Sequence, residues 1–117
     1  MKSNSLLDSF KYALMGIGEA FKQERNLKVH TCMMILVVMA GIYFKLSTWE
    51  WIVCLIAFAL VIGAEMINTS YEEMVNLLSP EKRKEAKDIA AGAVLVFAFF
   101  SAVIGLIIFV PKIIAMF

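Results

Sequence analysis

Polar side chains recur along one side of an otherwise apolar segment in the middle of the chain. Glu65, Asn68, Thr69, Glu72 and Asn76 are separated by intervals that return to nearly the same angle on an α-helix. A carboxylate within the hydrocarbon of a membrane costs about 2.5–3.5 kcal/mol on insertion scales, so a glutamate at that depth points to a function. Carboxylates and amides are also the hard oxygen ligands that suit Mg²⁺ when it is bound together with substrate phosphates.

A second group of charged residues follows a short loop, at the start of the next apolar segment. Lys87 and Asp88 precede the small residues Ala-Ala-Gly-Ala at 90–93, which allow two helices to approach closely. A lysine supplies a point charge for a phosphate. Together the two groups could join a lipid hydroxyl to a soluble phosphate donor. The alternative is that these polar residues only hold membrane helices together.

The composition indicates that membrane-spanning helices carry these residues. Of 117 residues, 62% are apolar and 18% charged, whereas soluble domains contain about 45–50% and about 25%. Apolar runs extend over 29–44, 49–64 and 89–110, and a span needs roughly 20 such residues. Unpaired backbone groups are not tolerated in lipid, so each run should be a helix. Soluble globular classes are excluded, and neither a GxxxxGK[ST] nor a GxGxxG phosphate loop is present.

An amphipathic segment precedes the first span and predicts a helix that lies in the membrane interface. Ser5 and Asp8 have the spacing of a helix cap at its start. We therefore expect an all-α membrane protein in one domain, residues 1–117, with a surface helix at about 5–26. The apolar stripe of this helix consists of Leu6, Phe10, Leu14, Ile17 and Phe21.

Helix-start signals give approximate bounds for the three spanning helices. Ser47 with Glu50 forms a capping-box pattern, and Ser79 followed by Pro80 is a typical N-cap and first helical position. The expected helices run over about 28–46, 49–76 and 80–112. His30, close to the start of the first of these, is expected to be an interfacial residue.

The distribution of lysine and arginine predicts the orientation in the membrane. Basic residues are concentrated before the first span and in the loop between the second and third, whereas only Lys45 separates the first two spans. By the positive-inside rule, the N-terminus faces the cytoplasm and the C-terminus faces outside. Glu65 then lies roughly 21 Å along the helix from Trp51, at 1.5 Å per residue. This depth is in the cytoplasmic third of the membrane.

Three segments resemble the bacterial diacylglycerol kinase family, whose members are small trimeric membrane kinases. They are FKQERN at 21–26, EMINTSYEEMVNLL at 65–78 and AKDIAAGAVL at 86–95. The ERN form and the ending IIFVPK at 107–112 are similar to the Gram-positive branch, which acts mainly on undecaprenol. The resemblance implies a homotrimer in the bacterial plasma membrane, with active sites shared between neighbouring subunits.

The resemblance also implies a role for each residue of the site. Glu65 matches the catalytic base, Asn68 the residue that orients the site, and Glu72 the main metal-binding carboxylate. Lys87 matches the lysine that contacts the ATP phosphates, and Asp88 the carboxylate that steadies the site. Further nucleotide contacts are expected from Tyr12 and Lys84. Metal binding is also expected from Glu24. The position of the family's other metal-binding glutamate is Gly18 in this sequence, so the next residue, Glu19, is expected to take its place.

These roles define an expected activity, the phosphorylation of a membrane lipid alcohol by ATP with Mg²⁺. Undecaprenol is the favoured acceptor, and diacylglycerol is the alternative within the same class. An ion-coupled transporter that uses an intramembrane glutamate is the alternative from another class. A transporter would place its carboxylate nearer the middle of the membrane, with access from both sides.

Overall fold

Four α-helices make up the fold in the computed structural model, which describes residues 5–117. The last three helices are long and apolar enough to cross a membrane. The predicted all-α membrane fold is therefore confirmed. In chain order the helices are α1 (Leu6–Gln23), α2 (Arg25–Tyr43), α3 (Thr48–Val75) and α4 (Pro80–Ile114).

A sharp corner at Glu24 separates α1 from α2. The Ser5 hydroxyl caps α1 by accepting a hydrogen bond from the Asp8 N–H at 3.1 Å. Glu24 has extended backbone angles, φ −111° and ψ 113°, although its N–H still donates to the Ala20 carbonyl. Because Arg25 is already helical, α1 ends three residues before the expected position, and α2 begins three residues early. Glu24 thus ends α1 and occupies the N-cap position of α2, although its side chain makes no capping hydrogen bond there.

A tight turn at the other end of α2 reverses the chain. Lys45 is in the left-handed region, with φ 54°. Its N–H donates to the Ile42 carbonyl at 3.3 Å, and the Leu46 N–H donates to the Gly41 carbonyl at 3.1 Å. These two bonds around a left-handed residue form the Schellman motif, which satisfies carbonyls left open at a helix end. The span therefore stops at Tyr43 rather than continuing to 46.

Helices α3 and α4 begin at the predicted N-cap residues, Ser47 and Ser79, although only Ser47 makes a side-chain capping bond. The Ser47 N–H donates to the Glu50 carboxylate at 2.9 Å, and the Glu50 N–H donates to the Ser47 hydroxyl at 3.3 Å. This reciprocal pair confirms the capping box. Ser79 is the N-cap of α4, and Pro80 occupies its first turn. The loop between α3 and α4 is short, which brings the first turns of α4 close to the end of α3.

Helix α3 is the centre of the fold, since it packs against each of the other three helices. Leu46, Cys54 and Ile108 form a buried apolar cluster at the end distant from Glu65. At the same end, the Lys112 ammonium lies 3.1 Å from the Glu50 carboxylate. Helices α2 and α4 diverge from this cluster. They leave an apolar groove of about 240 Å³ between α2, α3 and α4.

The close approach of α2 to α3 depends on Gly41. A Cβ at this position would lie 2.7 Å from a ring carbon of Trp51 and 3.0 Å from the Leu46 side chain. We expect Gly41→Ala to lower the free energy of unfolding by about 1–3 kcal/mol through overpacking. Thermal unfolding in detergent micelles measures this change. Gly105→Ala is the matched control, because a Cβ there meets nothing within 4 Å, and equal destabilisation of both variants would contradict the packing argument.

Candidate active site

The polar stripe of α3 is buried in the half of the helix that faces α1. Glu65, Asn68 and Thr69 are 1%, 7% and 8% exposed, and they are the buried polar side chains of the described residues. One turn further on, the partly buried Glu72 accepts a hydrogen bond from the Asn68 side-chain amide at 3.5 Å. The spacing in the sequence therefore does place these groups together on one side of α3.

Several buried atoms on this stripe have unused hydrogen-bonding capacity. Among residues 5–117, neither carboxylate oxygen of Glu65 has a hydrogen-bond partner, and neither does the side-chain oxygen of Asn68. Buried polar groups are normally paired, because an unsatisfied one costs about 1–3 kcal/mol, and a charged one costs more. These oxygens are therefore available to a proton, a substrate hydroxyl or a cation.

The corner between α1 and α2 brings a third carboxylate, that of Glu24, to the stripe that already holds Glu65 and Glu72. The Thr69 hydroxyl lies 3.3 Å from a Glu24 carboxylate oxygen and 3.0 Å from the Glu65 carbonyl. Glu24 is close enough to Glu65 for the two carboxylates to interact electrostatically, and the Asn26 amide also lies near Glu65. The corner at Glu24, Asn26 at the start of α2 and the stripe of α3 thus contribute oxygen atoms to one region. The spacing of polar residues within α3 could not reveal this convergence.

Helix α2 also contributes His30, whose part in this region the sequence did not reveal. Its Nε2 atom lies 3.7 Å from a carboxylate oxygen of Glu65, and its side chain is 23% exposed. The sequence assigned His30 only to the interface, since a single histidine near the start of a span has no spacing that links it to Glu65. The contact arises from the way α2 leans on α3.

Lys84, Lys87 and Asp88, the predicted site residues of α4, lie apart from the buried part of the α3 stripe. The Lys84 ammonium lies 2.8 Å from the Asp88 carboxylate, one turn along the same helix. Lys87 is partly buried. Across the described part of the chain, no hydrogen bond or ion pair joins these three residues to the stripe of α3. Within one chain, the structure does not bring the two predicted halves of the site into contact.

Glu19 and Tyr12, the two predicted site residues of α1, differ in their exposure and in their neighbours. Glu19 is exposed, and its carboxylate accepts a hydrogen bond from the Gln23 amide at 2.9 Å. It lines a groove between α1 and α3 with Glu73 rather than with Glu72. Tyr12 is partly buried, one helical turn after Asp8.

The donor set suits Mg²⁺ that is held jointly with a ligand. Among the described residues, no group of three or more His, Cys, Asp and Glu side chains could hold a metal ion alone. Mg²⁺, however, is commonly bound by one or two carboxylates plus substrate phosphates and water. Glu24, Glu72 and the unpaired oxygens near them provide oxygen donors of that kind. The residues present therefore fit Mg²⁺ bound with a nucleotide.

Together these features define a class of protein. Three apolar helices make the chain a membrane protein, and its central helix carries a buried carboxylate without a hydrogen-bond partner among the described residues. Residues 11–109 match the family described as prokaryotic diacylglycerol kinase. The chain belongs to this family, and it is therefore a lipid kinase, as the resemblance in the sequence implied.

Individual relatives share much of the chain. Undecaprenol kinase from Bacillus subtilis (strain 168) is 38% identical over 112 residues, which cover 93% of this chain and 91% of the relative. A diacylglycerol kinase from Synechocystis sp. is 33% identical over 96% of this chain and 66% of the relative. A diacylglycerol kinase from Haemophilus influenzae is 28% identical over 78% of this chain and 80% of the relative. No solved structure matches the chain.

Proposed function

We propose that this membrane kinase transfers the γ-phosphate of ATP to the hydroxyl of undecaprenol and produces undecaprenyl phosphate. The observation that carries the proposal is the Glu65 carboxylate, which is 1% exposed and whose two oxygens accept no hydrogen bond from residues 5–117. The choice of undecaprenol rests on the 38% identity to an undecaprenol kinase. Diacylglycerol is the alternative acceptor, because other relatives are diacylglycerol kinases.

Glu65 is the proposed general base. One carboxylate oxygen accepts the proton of the lipid hydroxyl as the hydroxyl oxygen bonds to the γ-phosphorus. The bond between this phosphorus and the oxygen bridging to the β-phosphate breaks, and its electron pair leaves with ADP. Phosphoryl transfer of this kind depends mainly on positioning and charge neutralisation. Asn68 lies between Glu65 and Glu72 on α3, and its side-chain amide donates to Glu72. It would thereby orient the general base relative to the metal-binding carboxylate.

The remaining predicted residues would bind the nucleotide and its metal. We infer that Glu72 and Glu24 hold Mg²⁺, which neutralises phosphate charge when bound, with Glu19 as a further ligand. Lys87 would pair with the ATP phosphates, and Asp88 would be the carboxylate that steadies the site. Lys84 and Tyr12 are the other proposed nucleotide contacts.

Among the described residues, Lys87 and Asp88 make no hydrogen bond or ion pair with the α3 stripe, which supports a site shared between subunits. We propose a homotrimer in which Lys87 and Asp88 of one subunit complete the site around Glu65 of its neighbour. The proposed orientation follows the positive-inside rule, with the N-terminus in the cytoplasm and the C-terminus outside the bacterial plasma membrane. This orientation opens the Glu72 end of the stripe to cytoplasmic ATP.

A competition assay tests the proposed function. Purified protein in mixed micelles receives ATP labelled in its γ-phosphate, Mg²⁺, and equal amounts of undecaprenol and diacylglycerol. We expect label in undecaprenyl phosphate in excess over phosphatidic acid, and none after Mg²⁺ is chelated. Predominant label in phosphatidic acid would establish the alternative acceptor. If lipid alcohols increased neither labelled lipid nor ATP consumption, the kinase proposal would be wrong.

A further inference from the structure

The reactive carboxylate of Glu65 needs a partner to fix its orientation. Its side chain is almost fully enclosed, and among residues 5–117 both oxygens are without hydrogen bonds. The side chains around it are of three kinds: the Glu24 carboxylate, the Asn26 and Asn68 amides, and the His30 imidazole. Of these, only the imidazole can hold a positive charge.

His30 is placed where it can act on Glu65 from a different helix. It lies in the second turn of α2, and its Nε2 atom is 3.7 Å from a Glu65 carboxylate oxygen. The ring also lines the apolar groove between α2, α3 and α4, next to Met33 and Met34. One side of the imidazole is therefore in apolar surroundings and the other faces the carboxylate. The 3.7 Å contact is longer than a hydrogen bond, but hydrogen bonds between catalytic side chains are often long in the absence of substrate and shorten when substrate binds.

We propose that His30 is a positioning residue for Glu65, which holds one carboxylate oxygen through an Nε2–H donor and leaves the other free to accept the hydroxyl proton. This inference rests on the proposed role of Glu65 in phosphoryl transfer. This role requires a proton on Nε2, and a hydrogen bond from this atom to Glu65 would fix the ring in that tautomer. The hydroxyl proton ends on Glu65, while His30 keeps its own proton throughout.

Two substitutions separate this role from a purely structural contact between α2 and α3. His30→Gln retains a side-chain N–H that can reach the carboxylate. His30→Met removes the donor but retains an unbranched apolar side chain, which suits a groove already lined by methionines. Met34→Leu is the matched control, since it changes the same groove one turn further along α2 without a polar contact.

The experiment compares kcat, the KM for Mg-ATP and thermal unfolding for the wild type and these variants. We expect His30→Met to lower kcat roughly 10–100-fold, because the base loses its fixed orientation, with an unchanged KM for Mg-ATP. His30→Gln should recover most of kcat, and Met34→Leu should match the wild type. A second apolar variant, His30→Leu, provides the comparison if His30→Met does not fold.

The outcomes distinguish this inference from the proposed function. If the wild type phosphorylates lipid but the apolar variant remains within twofold of it, His30 has no positioning role and the kinase proposal stands. Equal loss in the glutamine and apolar variants, with a parallel loss of thermal stability, would also overturn the inference in favour of a structural contact. A wild type without lipid phosphorylation would overturn both.

Discussion

Glu65→Gln is expected to abolish lipid phosphorylation while it stabilises the folded protein. The amide cannot accept the hydroxyl proton, and loss of a general base costs about 10²–10⁴-fold in rate. The same change removes a carboxylate that is 1% exposed and has no hydrogen-bond partner among the described residues. A buried charge costs more than a buried neutral amide, and the amide also removes the repulsion from the nearby Glu24 carboxylate, so we expect a gain in the free energy of unfolding of about 1 kcal/mol. Activity and stability should therefore change in opposite directions.

The measurements are initial rates of phosphate transfer and thermal unfolding in the same detergent. Glu73→Gln is the matched control, because Glu73 is an exposed glutamate on the same helix. It should leave both quantities close to those of the wild type. A Glu65→Gln variant with activity within tenfold of the wild type would remove Glu65 from the chemistry. A large loss of stability would instead show that the carboxylate already has a strong hydrogen-bond or ion-pair partner in the absence of substrate.

Mixing two inactive variants is expected to restore activity. In the proposed trimer, each site takes Glu65 from one subunit and Lys87 from the next. Glu65→Gln and Lys87→Met subunits should each form inactive trimers by themselves. When they are unfolded, mixed in equal amounts and reassembled, about one quarter of the sites would combine an intact Glu65 with an intact Lys87. The recovered activity should be close to that fraction of the wild type.

A second mixture makes this test independent of reassembly efficiency. Wild-type subunits are mixed equally with subunits that carry both substitutions. Sites shared between subunits would leave about one quarter of the activity, whereas sites within one subunit would leave about one half. A first mixture without activity, together with one half in the second, would refute the shared site. It would then require Lys87 to reach Glu65 within a single chain.

Local signals in the sequence are sufficient to predict the four helices and the polar stripe of α3. Helical spacing placed Glu65, Asn68 and Glu72 on one side of α3, because a regular helix fixes their relative angles whatever packs against it. The capping box of Ser47 and Glu50 and the start of α4 were equally predictable, since caps depend on residues within one turn. Such features need no knowledge of tertiary contacts.

Contacts between residues on different helices depend on the packing angles of those helices and cannot be predicted from the spacing of residues within one helix. Glu24 reaches Thr69 across 45 positions in the sequence, and His30 meets Glu65 across a similar distance. Both contacts require the corner at Glu24 and the angle between α2 and α3. The meeting of Lys87 with the α3 stripe, as proposed, lies between chains. No periodicity within one chain determines that contact.

The corner at Glu24 has a mechanical consequence. The residue that ends α1 also occupies the N-cap position of the first span and contacts Thr69 beside the proposed base. If α1 lies at the bilayer surface, as its amphipathic pattern predicts, tilting or lifting it would displace a carboxylate beside that base. Lipid packing and leaflet charge would then alter the geometry of the proposed site, and the rate of phosphate transfer would depend on the physical state of the bilayer.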